Sequence, residues 1–104
     1  TRPPNLDIVV LDNEHYGETG MQTSHTGLGL DIAAVAAACG FADARTVRTQ
    51  DELDRLVGDF AVHATGPRLA VCKIRAENLP RSMPPRDASF IKNRFRAHLG
   101  LPPN

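Results

Sequence analysis

With 104 residues the chain suits one small domain with a modest core and is too short for two. Its twelve basic and twelve acidic residues cancel. Neither sign gathers in a long block, so the electrostatic footprint of a nucleic-acid or anionic-membrane binder is missing. No apolar run approaches the roughly 20 residues of a membrane span, and no cationic start with an apolar stretch behind it marks a signal peptide. A soluble protein is expected. Cys39 and Cys72 lie far apart in apolar runs and form no CxxC, which favours two buried thiols in a reducing cytoplasm over a disulfide framework or a zinc site.

The opening text "TRPPNLDIVV" has no initiator Met and enters a strand almost at once, as a fragment beginning mid-domain would. "LDIVVL" (Leu6 to Leu11) is a near-continuous aliphatic run, which suits a parallel strand covered by a helix on each face. A long polar turn follows. "LDIAAVAAACGF" then reads as a helix, with Asp31 accepting from the free N–H groups of its first turn and Gly40 closing the last in the left-handed conformation. "ARTV" (Ala44 to Val47) is a short second strand. Thr49 and Glu52 have capping-box spacing, and Leu53, Leu56, Val57, Phe60 and Ala61 recur at helical spacing before Gly66-Pro67. "RLAVCKI" (Arg68 to Ile74) is a third strand. A Pro-rich linker leads to a final helix from about Asp87 to His98, where Phe90, Ile91 and Phe95 form an apolar stripe. The order predicts an α/β fold, a parallel sheet in layers joined by right-handed crossovers. Residues 1–75 form the body, and 76–104 the linker and last helix.

In an open parallel sheet, ligands bind beyond the carboxyl ends of the strands, where the turn from Asp12 onward lies. Asn13 offers a hard amide oxygen and the turn offers backbone carbonyls, while Gly17 and Gly20 let the main chain approach a ligand. Hard oxygens with little charge suit a Mg²⁺ ion that is also held by phosphate.

At these residues the sequence resembles thiamine diphosphate-dependent enzymes, whose diphosphate-binding motif begins with Gly-Asp-Gly and ends at an Asn after a hydrophobic strand. "IVVLDNEHYG" matches the second half. The text "DNEHYGETGMQTSHTG" is most similar to the phosphonopyruvate and sulfopyruvate decarboxylase branch, with its "DN-x-x-YG-x-TG-x-Q-x-T" pattern. The resemblance implies a Rossmann-like diphosphate-binding domain. It also implies that Asn13 ligates Mg²⁺ through its side chain and His15 through its backbone carbonyl, and that Asn13, Glu14, His15, Tyr16, Gly17, Glu18 and Thr19 meet the cofactor. The implied reaction is decarboxylation of a small 2-oxoacid, with Glu18 and His25 candidates for proton transfer or recognition of a second anionic group.

The chain holds no Gly-Asp-Gly. The missing half and the pyrimidine-binding domain or subunit, whose Glu activates the cofactor in this family, are expected outside it, in a homo- or hetero-oligomer. Alone, such a C-terminal fragment should be inactive. Acetolactate synthase-like enzymes are a related alternative, and a non-catalytic α/β interaction module docking through its Arg-rich final helix is another. Lone loop histidines and carboxylates are mostly solvated, and an Asn after a strand commonly caps its own backbone, so each candidate also has a purely structural use. His63 and His98 are expected on helices, without ligand-spaced companions.

Overall fold

The computed structural model describes residues 2–104. Strand β1 (Asp7–Asp12) runs into a small antiparallel hairpin, β2 (His15–Tyr16) and β3 (Gln22–Thr23), whose connection and exit are single 3₁₀ turns at Gly17–Thr19 and His25–Leu28. Helix α1 (Ile32–Ala38), strand β4 (Asp43–Val47), helix α2 (Gln50–Phe60), strand β5 (Arg68–Lys73) and helix α3 (Ala88–His98) follow. The three longer strands form a parallel sheet in the order β1-β5-β4, as the α/β layered reading requires.

Local chemistry explains the helix limits. Asp31 accepts from the Ala34 N–H at 3.0 Å and starts α1. Gly40, at φ +88°, ends it in a Schellman arrangement: its N–H donates to Ala37 O and the Phe41 N–H reaches back to Ala36 O. The capping box on α2 is complete, because Glu52 N–H donates to Thr49 Oγ1 and Thr49 N–H to the Glu52 carboxylate, both at 3.2 Å. Asp87 accepts from Ser89 and Phe90 N–H groups to begin α3.

The connection from β1 to β4 crosses β5 with α1 on one face. The return to β5 carries α2 on the other, so both crossovers share one hand. Alternation along β5 feeds two cores. Leu69 and Val71 pack with Ala33, Ala36, Ile8 and Val10 beneath α1. Ala70 and Cys72 pack with Val47, Leu56, Leu53 and Phe60 beneath α2.

This geometry corrects four expectations. Strand β1 is covered on the α1 face alone, and Val9 and Leu11 on the other are 54% and 68% exposed. The reason is that α2 returns from β4 to β5 and never reaches β1. Cys72 is buried, but Cys39 is exposed, because it caps α1 on the solvent side. His63 lies beyond the end of α2, in an exposed segment. Val57 faces solvent at 63% exposure, whereas Leu56 supplies the helix's buried contact. Helix α3 buries none of its side chains, and its tail folds back on it through Arg96 to Pro102 O and Lys92 to Asn104 O, both at 2.8 Å. Among the described residues no helix is long and apolar enough to cross a membrane.

Candidate functional site

The alternation that buries Ile8 and Val10 on β1, and Leu69 and Val71 on β5, continues for one more step at the carboxyl ends of the strands. There it delivers Asp12 and Lys73, which are direct neighbours in the register. The core stripe thus ends in a carboxylate and an ammonium. Asp12 is buried at 8% exposure and accepts three hydrogen bonds: from Lys73 Nζ at 2.7 Å, Thr26 Oγ1 at 2.8 Å and the Glu14 N–H at 2.8 Å. Lys73 Nζ also meets Glu14 Oε1 at 2.8 Å. Burial alone would push the Asp12 carboxyl up, but the bonds from Lys73, Thr26 and Glu14 outweigh it and hold the group below the usual carboxylate range. The bonds to Asp12 and Glu14 raise Lys73 above the ordinary lysine value despite its burial.

Between the two carboxylates lies Asn13. Its side-chain Oδ1 accepts the His15 N–H at 3.0 Å, and the His15 ring Nδ1 lies 2.9 Å from the Asn13 carbonyl. The Asn therefore closes its own turn, as an Asx residue does, with one lone pair of Oδ1 engaged and the second outside that bond. Glu14 takes φ +62°, a left-handed conformation that costs a residue with a side chain about 1 kcal/mol. Three ties hold it there: the Asp12 carboxylate on its N–H, Lys73 on its side chain, and the Ser24 N–H donating to its carbonyl at 2.8 Å. Gly27 passes directly beneath. A Cβ there would sit 2.9 Å from Glu14 O and 2.6 Å from Thr23 Cγ2, so a side chain would push the hairpin off the turn.

A cavity of about 210 Å³ opens beside this cluster, at the carboxyl ends of all three sheet strands. Asp12, Glu14 and Lys73 line it from one side, Thr26 from the loop, and Thr46 and Arg48 from the end of β4. Polar groups dominate, and the chemistry it can offer is hydrogen bonding and charge rather than apolar enclosure.

The structure gathers Asn13, Glu14 and His15 on one fixed turn. It does not bring the other expected residues to that point. Tyr16 is 51% exposed on the hairpin. Gly17 opens the first 3₁₀ turn near the Asn78 side chain, and Thr19 bonds to Gln22 at 3.1 Å. Glu18 points outward and pairs with Arg81 at 3.0 Å, both largely solvated, while His25 begins the second 3₁₀ turn, exposed. Sequence reasoning passed over Asp12, Thr26 and Lys73. The signal was present in the period-two pattern of "DIVVLD" and "RLAVCK": a charged residue in phase with the buried positions at a strand end must be paired. Among the described residues no group of three or more His, Cys, Asp or Glu is arranged to hold a metal, so the turn offers amide and main-chain oxygens rather than a carboxylate cage.

With this geometry in view, comparison with known proteins gives a consistent answer. Over 102 residues, 97% of its length, the chain is 33% identical to phosphonopyruvate decarboxylase of Streptomyces viridochromogenes and covers 25% of that protein. It is 33% identical over 93 residues, 89% of its length, to the sulfopyruvate decarboxylase beta subunit of Methanothermobacter thermautotrophicus, covering 46% of it. The Methanocaldococcus jannaschii beta subunit matches at 36% over 53 residues, 51% of this chain and 28% of the relative. The chain is thus similar to sulfopyruvate and phosphonopyruvate decarboxylases, and it spans less than half the length of each of these relatives. No family model matches the chain. No solved structure matches it either.

Proposed function

We propose that residues 1–75 are part of the diphosphate-binding domain of a thiamine diphosphate- and Mg²⁺-dependent decarboxylase acting on a small 2-oxoacid, of the phosphonopyruvate and sulfopyruvate decarboxylase kind. One observation carries the reading: Asn13 stands at the carboxyl end of β1, between Asp12 and Glu14, which line the cavity at the strand ends, on a turn whose backbone is tied down at every residue from Asp12 to His15. Similarity to decarboxylases that extends over nearly the whole chain supports it.

The donor set fits a shared metal. A neutral amide oxygen with a spare lone pair adds no charge, and Lys73 offsets the carboxylates on either side. Mg²⁺ commonly takes only one or two protein groups and fills its remaining positions with phosphate and water. Asn13 and the His15 carbonyl would hold the ion beside Glu14, which lines the cavity, and the family resemblance extends the cofactor contacts to Tyr16, Gly17, Glu18 and Thr19 on the adjoining hairpin, which lie outside that cavity. When bound, thiamine diphosphate supplies the electron sink for loss of carbon dioxide, and this chain supplies position. The pyrimidine-binding domain or a second subunit completes the site in a homo- or hetero-oligomer. Glu18 and His25 are candidates for handling protons or a second anionic group, since both are exposed, Glu18 in a solvated pair with Arg81, and can meet a partner surface. The interaction-module alternative draws support from α3, which buries no side chain.

Binding of thiamine diphosphate by the longest natural form of the gene product, titrated with and without Mg²⁺, separates the two. The enzyme reading expects Mg²⁺-dependent binding that weakens at least tenfold in Asn13→Leu, in line with loss of a metal ligand. Equal binding by Asn13→Leu overturns the metal role, and no binding by the unaltered protein favours the module.

A further inference from the structure

We infer that Lys73 is a positioning residue for the Asn13 turn: from β5 it clamps the two carboxylates that flank Asn13 and thereby sets the direction in which the Asn amide is presented. The inference deepens the function proposed above and rests on it only for what Asn13 binds. The observations are geometric. Lys73 Nζ reaches Asp12 Oδ2 at 2.7 Å and Glu14 Oε1 at 2.8 Å, while the Ile74 N–H donates to Asp12 O at 3.0 Å, so the last side chain of β5 and the main chain of the residue after it grip the same turn. Its side chain is 17% exposed, and it faces the cavity at the strand ends.

The choice of lysine over arginine has a reason. The acceptors come from residues two apart on a tight turn and approach from different directions. A compact ammonium with three rotatable donors can serve both, whereas a planar guanidinium is shaped for one carboxylate. Two of the three donors are used, and the third remains for a ligand in the cavity. Without the clamp, Glu14 loses the side-chain tie that favours its left-handed backbone, and the buried Asp12 charge is left to Thr26 and one N–H. The turn then samples other conformations, and Asn13 moves with it.

The test uses the longest natural form, comparing Lys73→Met, Lys73→Arg and Glu14→Gln with the unaltered protein. Amide hydrogen exchange is read at His15, whose N–H bonds Asn13 Oδ1, and at Ser24, whose N–H bonds Glu14 O. The Mg²⁺ concentration for half-maximal thiamine diphosphate binding is read alongside. Lys73→Met should speed both exchange rates at least tenfold and raise the Mg²⁺ requirement about 10- to 100-fold, as loss of a residue that orients a ligand does. Lys73→Arg should recover part of each effect. Glu14→Gln, which removes only the outer arm of the clamp, should fall between and serves if Lys73→Met does not fold. Unchanged exchange at His15 and Ser24 in both Lys73→Met and Glu14→Gln overturns the positioning role. If the unaltered protein binds no cofactor, the functional reading fails alone, and exchange still decides the clamp.

Discussion

At the amino-terminal end of the central strand pair Asp7 stands opposite Arg68, and at the carboxyl-terminal end Asp12 stands opposite Lys73. The same register therefore carries an acid on β1 and a base on β5 at both ends, yet the two pairs are built differently. Arg68 spends all five N–H groups: two on Asp7 in a bidentate fork at 2.7 and 2.8 Å, and three on the carbonyls of Asp59, Phe60 and Val62 at the end of α2. Its guanidinium also lies 4.4 Å from the centre of the Phe60 ring. Nothing is left for a ligand. Arg68 locks a helix end whose carbonyls have no partners within the helix. Lys73 binds a turn instead, keeps a donor in reserve and borders a cavity. On the reading proposed above, the contrast teaches that saturation, more than burial or charge, separates the ion pair that only holds structure from the one that borders the candidate site.

Removal of Arg68 should have the largest effect. Arg68→Met leaves the Phe60 and Val62 carbonyls and the Asp7 carboxylate without the donor Arg68 gives them, while the Asp59 carbonyl keeps the Val62 N–H, and the thermal midpoint of the chain, followed by circular dichroism, should fall by on the order of 10 °C. Lys in its place should recover less than half, because one ammonium cannot reach acceptors on both β1 and α2. A midpoint within about 3 °C of the unaltered chain would break the comparison, since Arg68 would then be as dispensable for stability as a solvated surface charge.

Acid pH should act on both ends, less strongly. The Arg68 guanidinium holds Asp7 below its ordinary value of 3.8. Asp12 is pushed up by burial, but the Lys73, Thr26 and Glu14 donors outweigh that and also leave it lowered from 3.8. Both folded values lie under the unfolded ones, so the stability they contribute is complete above the unfolded value and drains away as pH falls through the folded values. The urea midpoints of Asp7→Asn and Asp12→Asn should lie below that of the unaltered chain at pH 7, and the gap should close as pH falls below 3.8 through the lowered folded values. A gap that persists at low pH would mean that packing, not charge, joins the strand ends.

How much of this was legible in advance follows the same division. The helices were readable because their ends are local: Asp31, Gly40, Thr49, Glu52 and Asp87 all act within five residues of where they stand. The parallel sheet was readable from aliphatic runs alternating with helices. The bare face of β1 was not, because coverage depends on which strands α2 bridges, and the order β1-β5-β4 is not written in any one segment. The Asn13 turn was found from its text, yet the residues that hold it came from 59 to 61 positions away in the case of Lys73. A charged residue inside "LAVCK" reads locally as a strand ending. Only the register reveals its partner.

The smallest predicted effect sharpens the comparison from the helix that joins the two ends. Helix α2 begins at Gln50, close to the cavity end of the sheet, and ends at Phe60, beside Arg68. Thr49→Ala removes the hydroxyl that accepts the Glu52 N–H and should cost about 1 kcal/mol, measured by urea unfolding. The Glu52 carboxylate still accepts the Arg48 N–H at 2.6 Å, so the helix start loosens without coming apart. Because eleven helical residues span about 16 Å, the cost of Thr49→Ala should add to that of Arg68→Met within about 0.5 kcal/mol. Exchange at His15 should not respond to Thr49→Ala, since none of the bonds on the Asn13 turn passes through α2. A strong coupling, or faster exchange at His15, would show that α2 transmits strain between the ends and that the Lys73 clamp is not independent of the Arg68 lock.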